Sequence, residues 1–156
     1  MTRFILDTGI LLGIVRKSGF AKYVEKKYRI SESPNTSFVS VASVAELESL
    51  VYQFGWGESK QNMLAETLAK FPKVVIDMSV VKTFADIVAF SQGKHPKLRL
   101  PDGMSARNMG DNDIWIAATA VSLKATLITL DRDFDHLCGV FLDLIYIDQK
   151  LTEDDV

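Results

Sequence analysis

Residues 109–120 read MGDNDIWIAATA, and they put three polar side chains directly before one of the most apolar runs of the chain. These side chains belong to Asp111, Asn112 and Asp113. The apolar run at 114–123 has the length of a buried helix, and a strand-like run, TLIT, follows at 126–129. One capping side chain suffices at a helix start, and either Asp111 or Asn112 can supply it. Asp113 is then not needed as a cap, and we expect its side chain to project beyond the positive end of the helix.

The same alternation of strand-like and helix-like runs extends over the whole chain. The pattern predicts strands at 3–6, 37–41, 74–76, 126–129 and 144–147. It predicts helices at 10–15, 20–28, 44–54, 60–71, 80–90 and 114–123. Strands separated by helices favour right-handed crossovers and a mainly parallel sheet that is covered on both faces. We expect one domain over residues 1–150 and an acidic C-terminal tail at 151–156.

Composition excludes several classes of protein. With 47% hydrophobic residues among 156, the chain can bury a substantial core. A single cysteine, Cys138, forms no intramolecular disulfide, and two distant histidines make no Cys/His zinc framework. The apolar N-terminal stretch is interrupted by Asp7, lacks a small-residue cleavage site and is too short to span a bilayer. We expect a cytoplasmic protein that does not associate with membranes.

Four acids from distant parts of the sequence are expected at one edge of the sheet. Ligands of parallel sheets bind at the carboxyl ends of the strands. Asp7 follows the first predicted strand, and Asp131 follows the fourth after one intervening residue. Glu46 lies in the first turn of the helix after the second strand, and Asp113 opens the helix that leads to the fourth.

Each of these acids also has a structural interpretation. Asp7 is a candidate helix cap, although Thr8 can cap equally well and leave it free. Glu46 completes a capping-box pattern that begins at Ser43. Asp131 follows a strand, where aspartate commonly stabilises a turn.

Gathered together, however, four carboxylates need compensation, because like charges at one site repel. A hard divalent cation such as Mg²⁺ or Mn²⁺ provides it, since these ions prefer carboxylate and water oxygens. Such ions activate water and stabilise the charge that develops in phosphodiester cleavage. The net charge of −2 is compatible with a polyanionic substrate, because neutralising four carboxylates leaves +2 on the remainder.

The sequence resembles the PIN-domain nucleases, and among them the VapC-type toxins of bacterial and archaeal toxin–antitoxin pairs. The resemblance covers nearly the whole chain. It is carried by FILDTGILL at 4–12, SVASVAELE at 40–48, RNMGDNDIWIAATA at 107–120 and ATLITLDRDF at 125–134. It departs from the family at Gly9, where asparagine or serine is more usual.

The resemblance implies a three-layer α/β/α sandwich with a five-stranded parallel sheet, in which the first strand is central and the fourth lies beside it. It implies a Mg²⁺- or Mn²⁺-dependent endoribonuclease. The implied metal-binding and catalytic acids are Asp7, Glu46, Asp113 and Asp131, with Asp133 as a substitute for Asp131. The implied supporting residues are Thr8 and Asn112.

The implied partners are RNA, an antitoxin protein and a second copy of the chain. The stretch 92–109 has no periodic pattern and carries several basic residues. It is either a solvated basic loop or an RNA-binding segment in which Lys97, Arg99 and Arg107 contact phosphates. Tyr52, Phe54 and Trp56 are candidates for the border of an antitoxin groove.

Three other functions remain open on the sequence. One is an RNA-processing PIN nuclease outside a toxin system. Another is a binding module of PIN shape, in which the acids serve only as caps. A third is phosphoryl transfer with Asp7 as nucleophile, but that chemistry wants a second aspartate where Gly9 stands.

Overall fold

The computed structural model describes all residues from 1 to 156, and every predicted strand and helix is present. The strands are β1 Arg3–Leu6, β2 Thr36–Ser40, β3 Lys73–Val74, β4 Thr126–Thr129 and β5 Leu144–Tyr146. The α-helices are α1 Thr8–Val15, α2 Gly19–Tyr28, α3 Val41–Gln53, α4 Glu58–Ala69, α5 Met78–Ser91 and α6 Asp111–Leu123. Two short 3₁₀-helices, Arg132–Leu137 and Glu153–Asp155, complete the chain.

The five strands form one parallel sheet in the order β3-β2-β1-β4-β5. The predicted central position of β1, with β4 beside it, is confirmed. In this order the chain winds outward in one direction from β1 and in the other from β4. A sheet of this kind opens a crevice at the carboxyl ends of the two strands where the direction changes.

Alternation along β1 divides the core into two apolar layers. Phe4 and Leu6 pack with α1, α2 and α4 on one face of the sheet. Ile5 packs on the other face with α5 and α6. Each such fully buried aliphatic side chain stabilises the fold by about 1.5–3 kcal/mol. The sheet is therefore buried on both sides, as the predicted α/β/α sandwich requires.

Helix caps explain two differences from the predicted strand boundaries. β2 ends at Ser40 because the Ser40 Oγ accepts a hydrogen bond from the Ala42 N–H at 3.2 Å and starts α3 there. β3 ends at Val74 because the chain leaves the sheet towards Asp77. The Asp77 carboxylate caps α5 by accepting hydrogen bonds from the Ser79 and Val80 N–H groups.

The acidic residues at the C-terminus lie against α2. The Lys26 Nζ donates to the Glu153 carbonyl oxygen at 2.9 Å, and the Lys22 Nζ lies 3.7 Å from the Glu153 carboxylate. The helices of the chain are all too short or too polar to cross a membrane.

Candidate active site

A cavity of about 370 Å³ lies at the carboxyl ends of β1 and β4. All four of the predicted site acids line it. Its lining residues are Asp7, Thr8, Gly9, Leu12, Glu46, Asp113, Leu130, Asp131 and Gln149. The fold therefore brings together acids that stand up to 124 residues apart in sequence.

Asp7 is both a helix cap and a wall of the cavity. One carboxylate oxygen accepts from the Thr8 N–H at 2.7 Å, and the other accepts from the Thr129 hydroxyl at 2.5 Å. The residue is only 7% exposed. Burial raises the pKa of Asp7 to about 6 against the lowering effect of these hydrogen bonds, and the charges of Glu46 and Asp131 add to the rise.

The capping box predicted for Glu46 is wrong. Because α3 begins at Val41, Ser43 lies inside the helix, where its buried hydroxyl has no hydrogen-bond partner. The Glu46 carboxylate instead accepts a hydrogen bond from the Thr8 hydroxyl at 3.2 Å. Burial, followed by the charge of Asp113, raises the pKa of Glu46.

The prediction that Asp111 or Asn112 caps α6 is also wrong. Gly110 is the cap residue, and no side chain closes the helix start. Asp111 and Asn112 are exposed and lie outside the cavity, whereas Asp113, in the same first turn, lines it. Burial raises the pKa of Asp113 to about 6, and the charges of Asp7, Asp131 and Asp133 contribute.

Thr129 is a site residue that sequence reasoning missed, and it links two of the acids. Its hydroxyl donates to Asp7 and accepts from the Asp131 N–H at 3.0 Å. Asp131 in turn accepts from the Asp133 N–H at 2.8 Å, which starts the 3₁₀-helix. Asp133 is exposed and does not line the cavity. The available signal was a threonine two residues before Asp131, at the end of a buried strand.

The donor set suits a hard cation, but the side chains do not form a closed coordination shell. Carboxylate and hydroxyl oxygens are the ligands that Mg²⁺ and Mn²⁺ prefer. No group of three His, Cys, Asp or Glu side chains is arranged to hold a metal ion as they stand. Burial and mutual repulsion raise the pKa values of these acids, and a bound cation would offset both effects.

The predicted basic loop is present between α5 and α6, without helix or strand. Lys97 and Arg99 are exposed on it. Arg107 lines a separate cavity of about 190 Å³ with Asp111, not the cavity of the four acids. The loop is fixed at its base, because the Arg107 N–H donates to the Ser91 carbonyl oxygen at 2.7 Å.

A buried pair behind the loop was also missed by sequence reasoning. The Ser91 Oγ lies 2.7 Å from the His136 Nε2, and both side chains are buried. Burial, followed by the charge of Arg107, lowers the pKa of His136. The pair joins α5 to the 3₁₀-helix that follows Asp131, and so it supports one side of the site.

Comparison with known proteins gives a family and a set of similar folds. The family model of the PIN domain matches residues 4–140. None of the curated proteins matches the chain.

Three solved structures illustrate the similarity. VapBC2 from Rickettsia felis, bound to a DNA fragment from its promoter, matches with 22% identity and a TM-score of 0.73 over 94% of this chain and 100% of that one. FitAcB from Neisseria gonorrhoeae matches with 22% identity and a TM-score of 0.67 over 91% and 96%. VapBC-5 of the VapBC family of toxin–antitoxin systems, from Mycobacterium tuberculosis, matches with 21% identity and a TM-score of 0.62 over 94% and 99%. At this level of identity the likeness shows a shared fold.

Proposed function

Because the chain belongs to the PIN-domain family, whose members are nucleases, we propose that it is a Mg²⁺- or Mn²⁺-dependent endoribonuclease and the toxin of a VapBC-type pair. The observation that carries the proposal is the convergence of Asp7, Glu46, Asp113 and Asp131 on one cavity at the β1–β4 crevice. Two of these acids cap helices, but capping does not require that all four be gathered at one cavity. The raised pKa values of three of the acids mean that burying them as anions opposes folding.

The four carboxylates would hold the cation. When bound, it supplies electrostatic stabilisation of the phosphate and activation of the attacking water. The protein contributes position: Thr129 and the Thr8 N–H fix both oxygens of Asp7, and the Thr8 hydroxyl orients Glu46. Asp113 projects from the first turn of a helix whose buried apolar residues hold it rigidly against α5.

Two conservative variants test the proposal. Glu46→Gln keeps an oxygen that accepts from the Thr8 hydroxyl, and Asp113→Asn keeps the size of the side chain. Each should fold normally but lose Mn²⁺ binding in calorimetric titration and lose RNA cleavage by more than about 100-fold. Glu48→Gln is the matched control, because Glu48 is exposed two positions further along the same helix. Wild-type Mn²⁺ affinity and cleavage in both site variants would refute the nuclease proposal.

We also propose an antitoxin partner and a homodimer. The similarity to VapBC and FitAB assemblies supports the antitoxin. Tyr52 and Phe54, at the end of α3, are 85% and 66% exposed and offer aromatic surface for a helical segment. The expectation for Trp56 is wrong, because its side chain is buried in the core. Co-expression with the product of a neighbouring gene should yield a complex that no longer cleaves RNA, and Tyr52→Asp should weaken it. Light scattering of the purified chain tests the dimer.

A further inference from the structure

The cavity of the four acids presents a difficulty for an RNA strand, because its wall repels phosphate. The lining side chains include no lysine or arginine. The Thr8 hydroxyl already donates to Glu46. Gln149 is the remaining lining residue whose side chain carries N–H donors. A cation in the cavity neutralises the carboxylates but does not fix the direction in which the strand crosses them.

Gln149 is held at this position by the turn that follows β5. The Ile147 N–H donates to the Thr129 carbonyl oxygen at 2.8 Å and continues the pairing with β4. The Asp148 carboxylate accepts from the Lys150 N–H at 2.9 Å and closes a turn around Gln149. Gln149 is exposed, and its carboxamide makes no hydrogen bond within the chain. Its donors are therefore uncommitted beside the acids.

A cationic group lies at the end of β5, just outside the lining of the cavity. Arg132 directly follows Asp131, and its guanidinium lies 3.6 Å from the centre of the Tyr146 ring. Tyr146 is the last residue of β5 and pairs with Thr129 in the sheet. The Arg132 side chain is 66% exposed, with only Asp135 at 3.5 Å as an ionic neighbour. Stacking on tyrosine holds the guanidinium plane while leaving N–H groups free.

We infer that Gln149 and Arg132 form a phosphate-binding wall along the β5 side of the cavity. The Gln149 carboxamide donates to a phosphate oxygen of the RNA strand in the cavity, and the Arg132 guanidinium binds the adjacent phosphate. The strand thus leaves the site over β5. This inference rests on the proposed ribonuclease function and assigns the path of its substrate.

The test measures binding and cleavage of a short fluorescein-labelled single-stranded RNA of mixed sequence in Mn²⁺. Gln149→Ala should raise KM about tenfold with kcat within about twofold, the loss expected of one hydrogen bond to a charged group. Gln149→Glu should raise KM further, because it keeps the length but replaces the donor with a negative charge. Arg132→Gln should weaken binding and reduce the salt slope by about 0.7, whereas Arg132→Lys should retain the slope.

The controls separate substrate contact from structure and from metal binding. Melting temperature and calorimetric Mn²⁺ affinity should equal those of wild type in Gln149→Ala, Arg132→Gln and Arg132→Lys. Gln149→Glu adds a carboxylate to the cavity lining, so its KM is measured at saturating Mn²⁺. Gln53→Ala removes an exposed glutamine of α3 that does not line the cavity, and it should leave KM, kcat and Mn²⁺ affinity unchanged. If the wild type cleaves this RNA and the Gln149 variants have the same KM as the wild type, the phosphate-binding inference is refuted while the proposed ribonuclease function stands. A loss of Mn²⁺ affinity in Gln149→Ala also overturns it, and a wild type that neither binds nor cleaves RNA overturns the function as well.

Discussion

Replacing Asp7 by asparagine should stabilise the metal-free protein, although it removes a proposed metal ligand. The reason is that Asp7 is almost fully buried and its pKa is raised from 3.8 to about 6. At neutral pH the folded protein therefore carries a buried carboxylate that is more stable as an anion in the unfolded chain. Asparagine has nearly the same shape and never ionises.

The magnitude follows from the pKa and from the hydrogen bonds of Asp7. Since each tenfold change in proton affinity is worth about 1.4 kcal/mol, the rise from 3.8 to about 6 costs about 3 kcal/mol when the acid is fully ionised. The asparagine oxygen still accepts from the Thr8 N–H. The Thr129 hydroxyl loses its acceptor, which costs about 1 kcal/mol. The net gain is about 1–2 kcal/mol, or about 2–8 °C in Tm for a chain of this size.

The sign of the pH dependence distinguishes this cause from improved packing. A carboxyl whose pKa is raised in the folded state binds more protons there, so wild-type stability falls as pH rises from about 4 to about 6. The asparagine variant should be the more stable protein at about pH 8 and slightly less stable than wild type at about pH 4, where the ionisation cost is gone and only the loss of the Thr129 hydrogen bond remains. Urea unfolding with EDTA present measures it. Because Asp7 also raises the pKa of Asp113, relief of that repulsion acts in the same direction.

Adding Mn²⁺ should make the wild type more stable than Asp7→Asn. The ion stabilises only the folded state, by about 2.7 kcal/mol at one hundred times its dissociation constant, and the variant should gain much less. Asp111→Asn is the control, because Asp111 is exposed and lies outside the cavity. It should not stabilise the protein and should respond to Mn²⁺ as wild type does. An Asp7→Asn protein that melts at or below wild type in EDTA at about pH 8 would refute the reasoning.

Two further predictions concern the supports around the site. Replacing Lys97 and Arg99 by glutamate should weaken RNA binding and lower the slope of log K against log salt concentration by about 1.4. Fluorescence anisotropy at several salt concentrations measures this slope, and an unchanged slope would show that the loop does not contact RNA. Burial lowers the pKa of His136 below its ordinary 6.5, so the stability it contributes is present above that pH and is lost as pH falls. His136→Gln does not titrate and should lose less stability than wild type between about pH 7 and about pH 5 in urea titrations; equal losses would contradict the assignment.

The fold was predictable because its signals are repetitive and local. Each strand is a short apolar run between helical segments, and alternation along β1 distributes Phe4 and Ile5 to opposite layers. Boundaries were less predictable, since they depend on which polar side chain captures a free N–H. Ser40 and Ser43 are equally good cap candidates in the sequence, yet Ser40 caps α3 and Ser43 is buried inside the helix.

The site was predictable in its acids and less so in its supports. The acids follow strand ends or open helices, and the rule for parallel sheets is enough to gather them. Thr129 and Gln149 carry no such signal, because threonine is common in strands and glutamine is common in turns. Their positions at the cavity arise from the pairing of β4 with β1 and β5, which no local pattern specifies.

The observed helix caps show how a site acid can also serve the fold. Where a cap was predicted at Asp111 or Asn112, the chain uses a glycine and leaves the start of α6 without a side-chain cap. At Asp7, however, the fold does use the acid as a cap, with one oxygen, while Thr129 holds the other oxygen beside the cavity. Asparagine would perform the capping as well and would avoid the cost of a buried charge. The carboxylate thus costs the fold stability, and a cation bound as we propose would offset that cost by neutralising the charge.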